Sequence, residues 1–283
     1  MALARDASSP ALNVSGFLGA TPESLASNSF SPPAGSVIVV TGYADGGGGT
    51  TNQIASASIT DSLGSHLTWT QGVQILDTAN RGAGAGGITV WWAFTSSAPG
   101  SMTATVTYTA TGGQNIQGMD VAVDVYTGAL TTGPIGATVT SATPTGTPLT
   151  VSITPTASGS ALLIAAGDEA SLNTLAASTG CFALATDNAP GGALDTIDAW
   201  LGTSSTVFTG STSGSPTNLV LTGSAGTNWV YAAYEVLAAA AGSNSGPNYA
   251  GGGSALGGGV GSWVNIPNAE GAPDGAVATW TAP

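Results

Sequence analysis

Residues 29–43 read SFSPPAGSVIVVTGY, and residues 152–168 read SITPTASGSALLIAAGD. In each, Ser, Pro and Gly turn residues lead into an aliphatic run, which is how a buried strand is written. The likeness continues downstream of both copies. After the first come ITVWWAFTSS (88–97), SMTATVTYTA (101–110) and MDVAVDVYTGA (119–129). After the second come DTIDAWLGTSS (195–205), TNLVLTGS (217–224) and NWVYAAYEVLAA (228–239), in the same order. Strand-like segments repeated in a fixed order point to β-modules rather than to one enzyme fold. Aligning Trp92 on Trp200 also aligns the two TSS triplets, and a later block sets Asp124 on Glu235 and Val125 on Val236.

Strand signals about every ten residues, Gly-rich turns and almost no helical periodicity predict an all-β chain. The expected architecture is two tandem related β-sandwich units, jelly-roll or Ig-like, either separate or merged into one large sandwich. The boundaries read as unit 1 over 1–130, unit 2 over 131–240, a Gly-rich linker or tether over 241–261, and a C-terminal arm or start of a further β-module over 262–283. A short first strand is expected around ALNVSGFLG (11–19). In SMTATVTYTA, Met102, Ala104, Val106 and Tyr108 alternate with threonines, the pattern of a half-buried antiparallel strand. The segment ASITDSLGSHLTWTQGVQIL (57–76) reads as a hairpin turning near DSLGS. In MDVAVDVYTGA, Val121, Val123 and Val125 are placed inward, and Asp120, Ala122, Asp124 and Tyr126 outward. The alanine-rich VYAAYEVLAAAAG (230–242) reads as a strand running into the linker.

Only 6% of the 283 residues are charged, against a usual share of about 25%. Fifteen acids face two bases, Arg5 and Arg81, for a net charge of −13. Such a chain cannot neutralise a run of phosphates, so nucleic acid and anionic membranes are poor partners. No segment approaches eighteen uninterrupted apolar residues, so membrane insertion is not expected. The N-terminal MALARDASSPALNVSGFLGA lacks an apolar run of signal-peptide length, which leads us to expect synthesis in the cytoplasm without classical export. The single Cys181 cannot form an internal disulfide.

Little of the chain is suited to catalysis, and no catalytic, cofactor or metal residue is assigned. His66 reads as a turn residue, because no strained nucleophile elbow accompanies it to make a triad. Cys181 reads as a small buried hydrophobe. The carboxylate pairs Asp168/Glu169, Asp195/Asp198 and Asp120/Asp124 are close in sequence, but glycoside hydrolysis needs them to flank one bond in space, and they read as loop acids. Oxygen ligands for calcium could collect near Asp45, Gly167 and Thr186, although no calcium-loop series is present. Trp91, Trp229 and Tyr231 lie opposite the apparently buried faces of their strands. With Trp263 they form a candidate contact surface for protein or sugar, unless both faces of those strands are covered.

SPPAGSVIVV, ITDSLGSHLTWTQ, ITVWWAFTSSAPGSMTATVTYT and AVDVYTGA occur in the order found in β-sandwich modules of minor tail proteins of phages that infect actinobacteria, which this chain resembles over roughly 28–240. The tail SWVNIPNAEGAPDGAVAT looks like the start of another module of such virion proteins. The resemblance implies a non-enzymatic phage virion structural protein, in the first place a minor tail protein of a tail tip or fibre, assembled in the host cytoplasm into the virion. It would act through contacts with its own copies, as a homo-oligomer with a trimer favoured, and with other virion proteins. Host attachment through a surface glycan would be a further role. A capsid decoration protein and a glycan-binding adhesin module are the alternatives.

Overall fold

The computed structural model describes residues 2–15, 18–46, 54–76, 86–110, 115–141, 147–168, 174–188, 195–223 and 229–239. These fall within one compact unit, Met1–Ser243. The expected linker, the C-terminal arm and Trp263 lie outside the described residues. Every regular element described is a strand. In chain order these are β1 (Ala4–Arg5), β2 (Asn13–Val14), β3 (Glu23–Ala26), β4 (Ser36–Asp45), β5 (Ile54–Asp61), β6 (Thr70–Leu76), β7 (Gly86–Thr95), β8 (Ala104–Ala110) and β9 (Gly118–Thr127). They continue as β10 (Ile135–Ser141), β11 (Leu149–Ile153), β12 (Ala161–Asp168), β13 (Ala176–Ala177), β14 (Cys181–Asp187), β15 (Asp195–Leu201), β16 (Thr217–Thr222) and β17 (Trp229–Val236).

The strands form four sheets whose orders come in two matching pairs. One inner sheet runs β1-β9-β4-β7-β6, with β2 also on β9, and the other runs β10-β17-β12-β15-β14. The outer sheets run β3-β8-β5 and β11-β16-β13. Each half is therefore a sandwich with the same connectivity, and the sandwiches stack through their larger sheets. Three apolar cores result. One lies between the β3-β8-β5 sheet and its neighbour and holds Ile38, Val40, Trp91, Val106, Tyr108 and Val125. Its counterpart in the second half holds Leu162, Ile164, Ile197, Leu219 and Trp229. The middle core joins the halves, with Val37, Val39 and Val90 from the first against Leu163, Trp200 and Val236 from the second. Burying side chains of this size contributes about 1.5–3 kcal/mol each, so this junction is a true core.

A strand covered on both faces need not alternate, and β4 and β12 are buried at every position. The outer β8 keeps strict alternation, its threonines half-exposed and Ala104, Val106, Tyr108 and Ala110 inside. Gly42 in β4 allows the close approach of the outer sheet. A Cβ there would stand 2.8 Å from Val106 Cγ1, while the Tyr108 hydroxyl donates to the Gly42 carbonyl at 2.7 Å.

Three expectations are corrected. The first concerns the DSLGS segment, which is not a hairpin: β5 pairs with β8 in the outer sheet, whereas β6 pairs with β7 in the inner one. The chain arches between layers around the buried Asp61 carboxylate. Oδ1 accepts from the Leu63 amide at 3.0 Å and contacts His66 Nδ1 at 3.1 Å, and Oδ2 accepts from the Leu67 amide at 3.0 Å and Trp69 Nε1 at 2.8 Å. Second, the face of β9 read as outward is buried, because the second sandwich covers Asp120, Ala122, Asp124 and Tyr126. Third, the ladders pair Val39 with Trp92 and Asp124, and Leu163 with Trp200 and Tyr234. Trp92 thus corresponds to Trp200, but Asp124 corresponds to Tyr234. Glu235 points to the opposite face, where its carboxylate accepts from the Ala137, Thr156 and Ala157 amides and the Thr156 hydroxyl.

Candidate functional site

The two sandwiches stand the same way up. Near the starts of β9 and β15 the Thr196 hydroxyl donates to Asp120 Oδ2 at 2.6 Å, and near the end of β4 the Tyr43 hydroxyl reaches the Ile197 carbonyl at 3.4 Å. At the other ends of β9 and β17, Ala129 bridges Ala238, and the Leu130 amide donates to the Leu237 carbonyl at 2.8 Å. The connections β2–β3, β4–β5, β6–β7, β8–β9, β10–β11, β12–β13, β14–β15 and β16–β17 consequently leave the strands at one end of the stack. Asp45, Asp120, Asp168, Asp187 and Asp195 lie at strand termini or one or two residues inside them at this same end. Loops grouped at one end of a rigid sandwich are the usual place for contact residues.

The expected aromatic surface is not formed by Trp91 and Trp229. Trp91 is in the core of the first sandwich and Trp229 in the core of the second, since the strands that carry them are covered on both faces. Tyr231 is half-buried beside the second core, and burial pushes its hydroxyl up against a hydrogen bond with Ser141. Among the described residues, Val14 and Val207 are the large apolar side chains left exposed. A shallow cleft of about 340 Å³ beside the Asp61 arch is lined by residues including Leu63, Leu67, Phe94, Thr95 and Ser97.

The chemistry-bearing groups gather in the middle layer. Arg5 Nε donates to Asp124 Oδ1 at 2.5 Å, and both side chains are largely out of solvent. Burial works against the charged Arg5, but Asp124 outweighs it and holds the guanidinium above its ordinary value. Burial raises the Asp124 carboxyl, and Arg5 offsets only part of that rise. Asp198 reaches the same layer from β15, 2% exposed, with no hydrogen-bond partner for either carboxylate oxygen. Burial and then the Asp124 charge push it well above the usual carboxylate range, against an opposing pull from Arg5. Tyr43, Tyr126 and Tyr234 surround these groups. The Tyr234 hydroxyl lies 3.4 Å from that of Thr41, and the Tyr126 hydroxyl has no partner. Burial pushes Asp120 up to about 7 despite the Thr196 hydrogen bond, with the Asp187 and Asp195 charges adding to the rise.

The remaining sequence candidates are dispersed. Asp120 and Asp124 share a face of one strand, four residues or roughly 13 Å apart along it. Asp195 and Asp198, three residues apart on β15, point to opposite faces. Asp168 stands opposite Asp195 across the ladder, and Glu169 lies outside the described residues. His66 is exposed on the arch, and Cys181 is half-buried, with its sulfur accepting from the Val220 amide at 3.4 Å and burial raising its thiol. Among the described residues, no group of three or more His, Cys, Asp or Glu side chains is arranged to hold a metal ion. The sequence reading passed over Arg5 as a partner for Asp124, and the Tyr43/Tyr126/Tyr234 set. The available signal was the acid-bearing face of a valine strand in a chain with two bases.

Comparison with protein-family models, with curated proteins and with solved structures finds no match.

Proposed function

We propose that this chain is a non-enzymatic structural protein of a phage virion, working through protein contacts in a tail tip or fibre. The observation that carries the reading is the use made of its carboxylates. Asp61 organises an arch, Glu235 ties a corner, and Asp124 and Asp198 lie inside the junction between sandwiches. Asp61, Glu235 and the Arg5-bound Asp124 tie segments and layers together, as an assembly module requires. The resemblance of the SPPAGS, DSLGSHLTW and AVDVYTGA segments to phage minor tail modules supplies the virion setting. They act here as strand opener, arch and closing strand. The end that gathers eight connections is the contact face this reading favours, for neighbouring virion proteins or a host-surface glycan, and a trimer is the favoured assembly.

The test is immunogold electron microscopy of particles from a culture producing the protein, using antibodies raised against residues 2–239. Label at a fixed place on intact particles is the expected result. Label found only in soluble host lysate, with purified particles free of the chain by mass spectrometry, overturns the proposal.

A further inference from the structure

The middle layer contains a charge imbalance. Arg5 and Asp124 neutralise each other, so an ionised Asp198 would leave one uncompensated negative charge at 2% exposure with neither oxygen accepting a hydrogen bond. An ionised carboxylate in that position costs far more than a neutral acid, which has one polar hydrogen to place. The groups facing it are Arg5 from β1, Tyr43 from β4, Asp124 and Tyr126 from β9, and Tyr234 from β17. Arg5 is the one base in this set, and Asp124 already holds it. The ladder correspondence sharpens the point: with Trp92 matched to Trp200, Asp198 occupies the place of Val90, an apolar residue of the same core in the first half. A neutral side chain at that place therefore suits the architecture.

We propose that Asp198 carries a proton in the folded protein, and that this proton latches the two sandwiches together, so that its loss at alkaline pH loosens the junction between them. Linkage gives the sign. A carboxyl that holds its proton when folded and releases it when exposed contributes stability fully present below its unfolded pKa, and that stability is lost as pH rises through the folded value. Loosening is expected to begin at the middle layer, whose covalent link is the segment Gly128–Pro134 between β9 and β10. The outer cores, which hold no such acid pair, would remain closed longer.

The experiment compares the wild-type chain with Asp198→Asn, which keeps shape and removes the titration. The rate of thermolysin cleavage within residues 128–134 is read at about pH 5 and about pH 9. Taking the ratio to the variant at the same pH cancels the protease's own pH dependence. The wild-type to variant ratio is expected to rise by about tenfold or more between those conditions, because the folded chain then carries an ionised, unpaired Asp198 that the variant lacks. A ratio that stays flat overturns the latch. Carboxyl carbon chemical shifts give an independent reading that does not need a folded variant, and an Asp198 resonance titrating in the ordinary carboxylate range also overturns it. If the wild-type junction is held at pH 9 by sodium or potassium but not by tetramethylammonium at equal ionic strength, a bound cation and not a proton balances Asp198, and the proposal fails. Asp120→Asn serves as the parallel control, since it should shift cleavage around neutral pH while leaving the alkaline response of Asp198 in place.

Discussion

Replacing Asp120 by Asn should make the protein more stable at neutral and alkaline pH. Asp120 lies 1% exposed at the start of β9 and accepts the Thr196 hydroxyl at 2.6 Å from the facing sheet. Burial lifts its carboxyl from 3.8 to about 7, a rise of roughly three units. Each unit is worth about 1.4 kcal/mol, so the full linkage is about 4 kcal/mol, of which about 3 falls between pH 5 and pH 8. Because the folded value is raised, the contribution is intact below the unfolded pKa and declines as pH climbs through 7. Asparagine cannot ionise, and its amide oxygen can still accept from Thr196. Urea unfolding midpoints measured at several pH values should therefore nearly coincide for the two proteins below about pH 4, diverge as pH rises towards 7 and stay apart in favour of Asp120→Asn above it. A separation under about 1 kcal/mol at pH 8, or a wild-type stability that climbs across this range in parallel with the variant, would refute the reasoning.

Three further substitutions probe the layers separately. Asp61→Ala strips the arch of its acceptor and should cost about 2–4 kcal/mol in denaturant unfolding, with Trp69 emission shifting to the red as its indole loses its partner. Gly42→Ala forces a methyl group onto Val106, a stiff β-branched neighbour, and should cost about 1–3 kcal/mol, detectable as a fall in Tm. Glu235→Gln removes the charge that four donors hold. Burial alone would raise the Glu235 carboxyl, but those hydrogen bonds outweigh it and keep it below its usual value. Its contribution is thus present above the unfolded pKa and lost as pH falls through the folded value. The variant should be about 1–3 kcal/mol less stable at pH 7, with the gap closing on acidification in the same unfolding assay.

The sequence made individual strands legible wherever one face met solvent. Alternation in 102–109 defined β8 because threonine and apolar positions experience different surroundings there. It was least informative in the inner sheets, where two covered faces erase the period, and the same ambiguity displaced the repeat alignment by one residue between Asp124 and Tyr234. The acids of β9 appeared solvent-facing because acids usually are. Their burial depends on a second sandwich whose docking no local pattern encodes. The hairpin expectation failed for a related reason: turn residues announce that the chain reverses, and the tertiary layer that receives it is decided elsewhere. Asp61 looked like a turn former and proved to be the acceptor around which the crossover is built. The candidate contact end could not be read at all until the two halves were seen to share an orientation.

That shared orientation divides the molecule into an end that can change length and an end that cannot. At the Ala129–Ala238 bridge, a side chain on Gly128, which holds φ at 70°, would run into the Ala2 carbonyl, so the N-terminal strand, the inter-sandwich link and the exit of β17 are fitted to one another. Insertions there would break several contacts at once. At the opposite end each connection joins strand termini already fixed by their own ladders, and residues can be added without moving any of the four layers. Added length is thereby tolerated at one pole and penalised at the other.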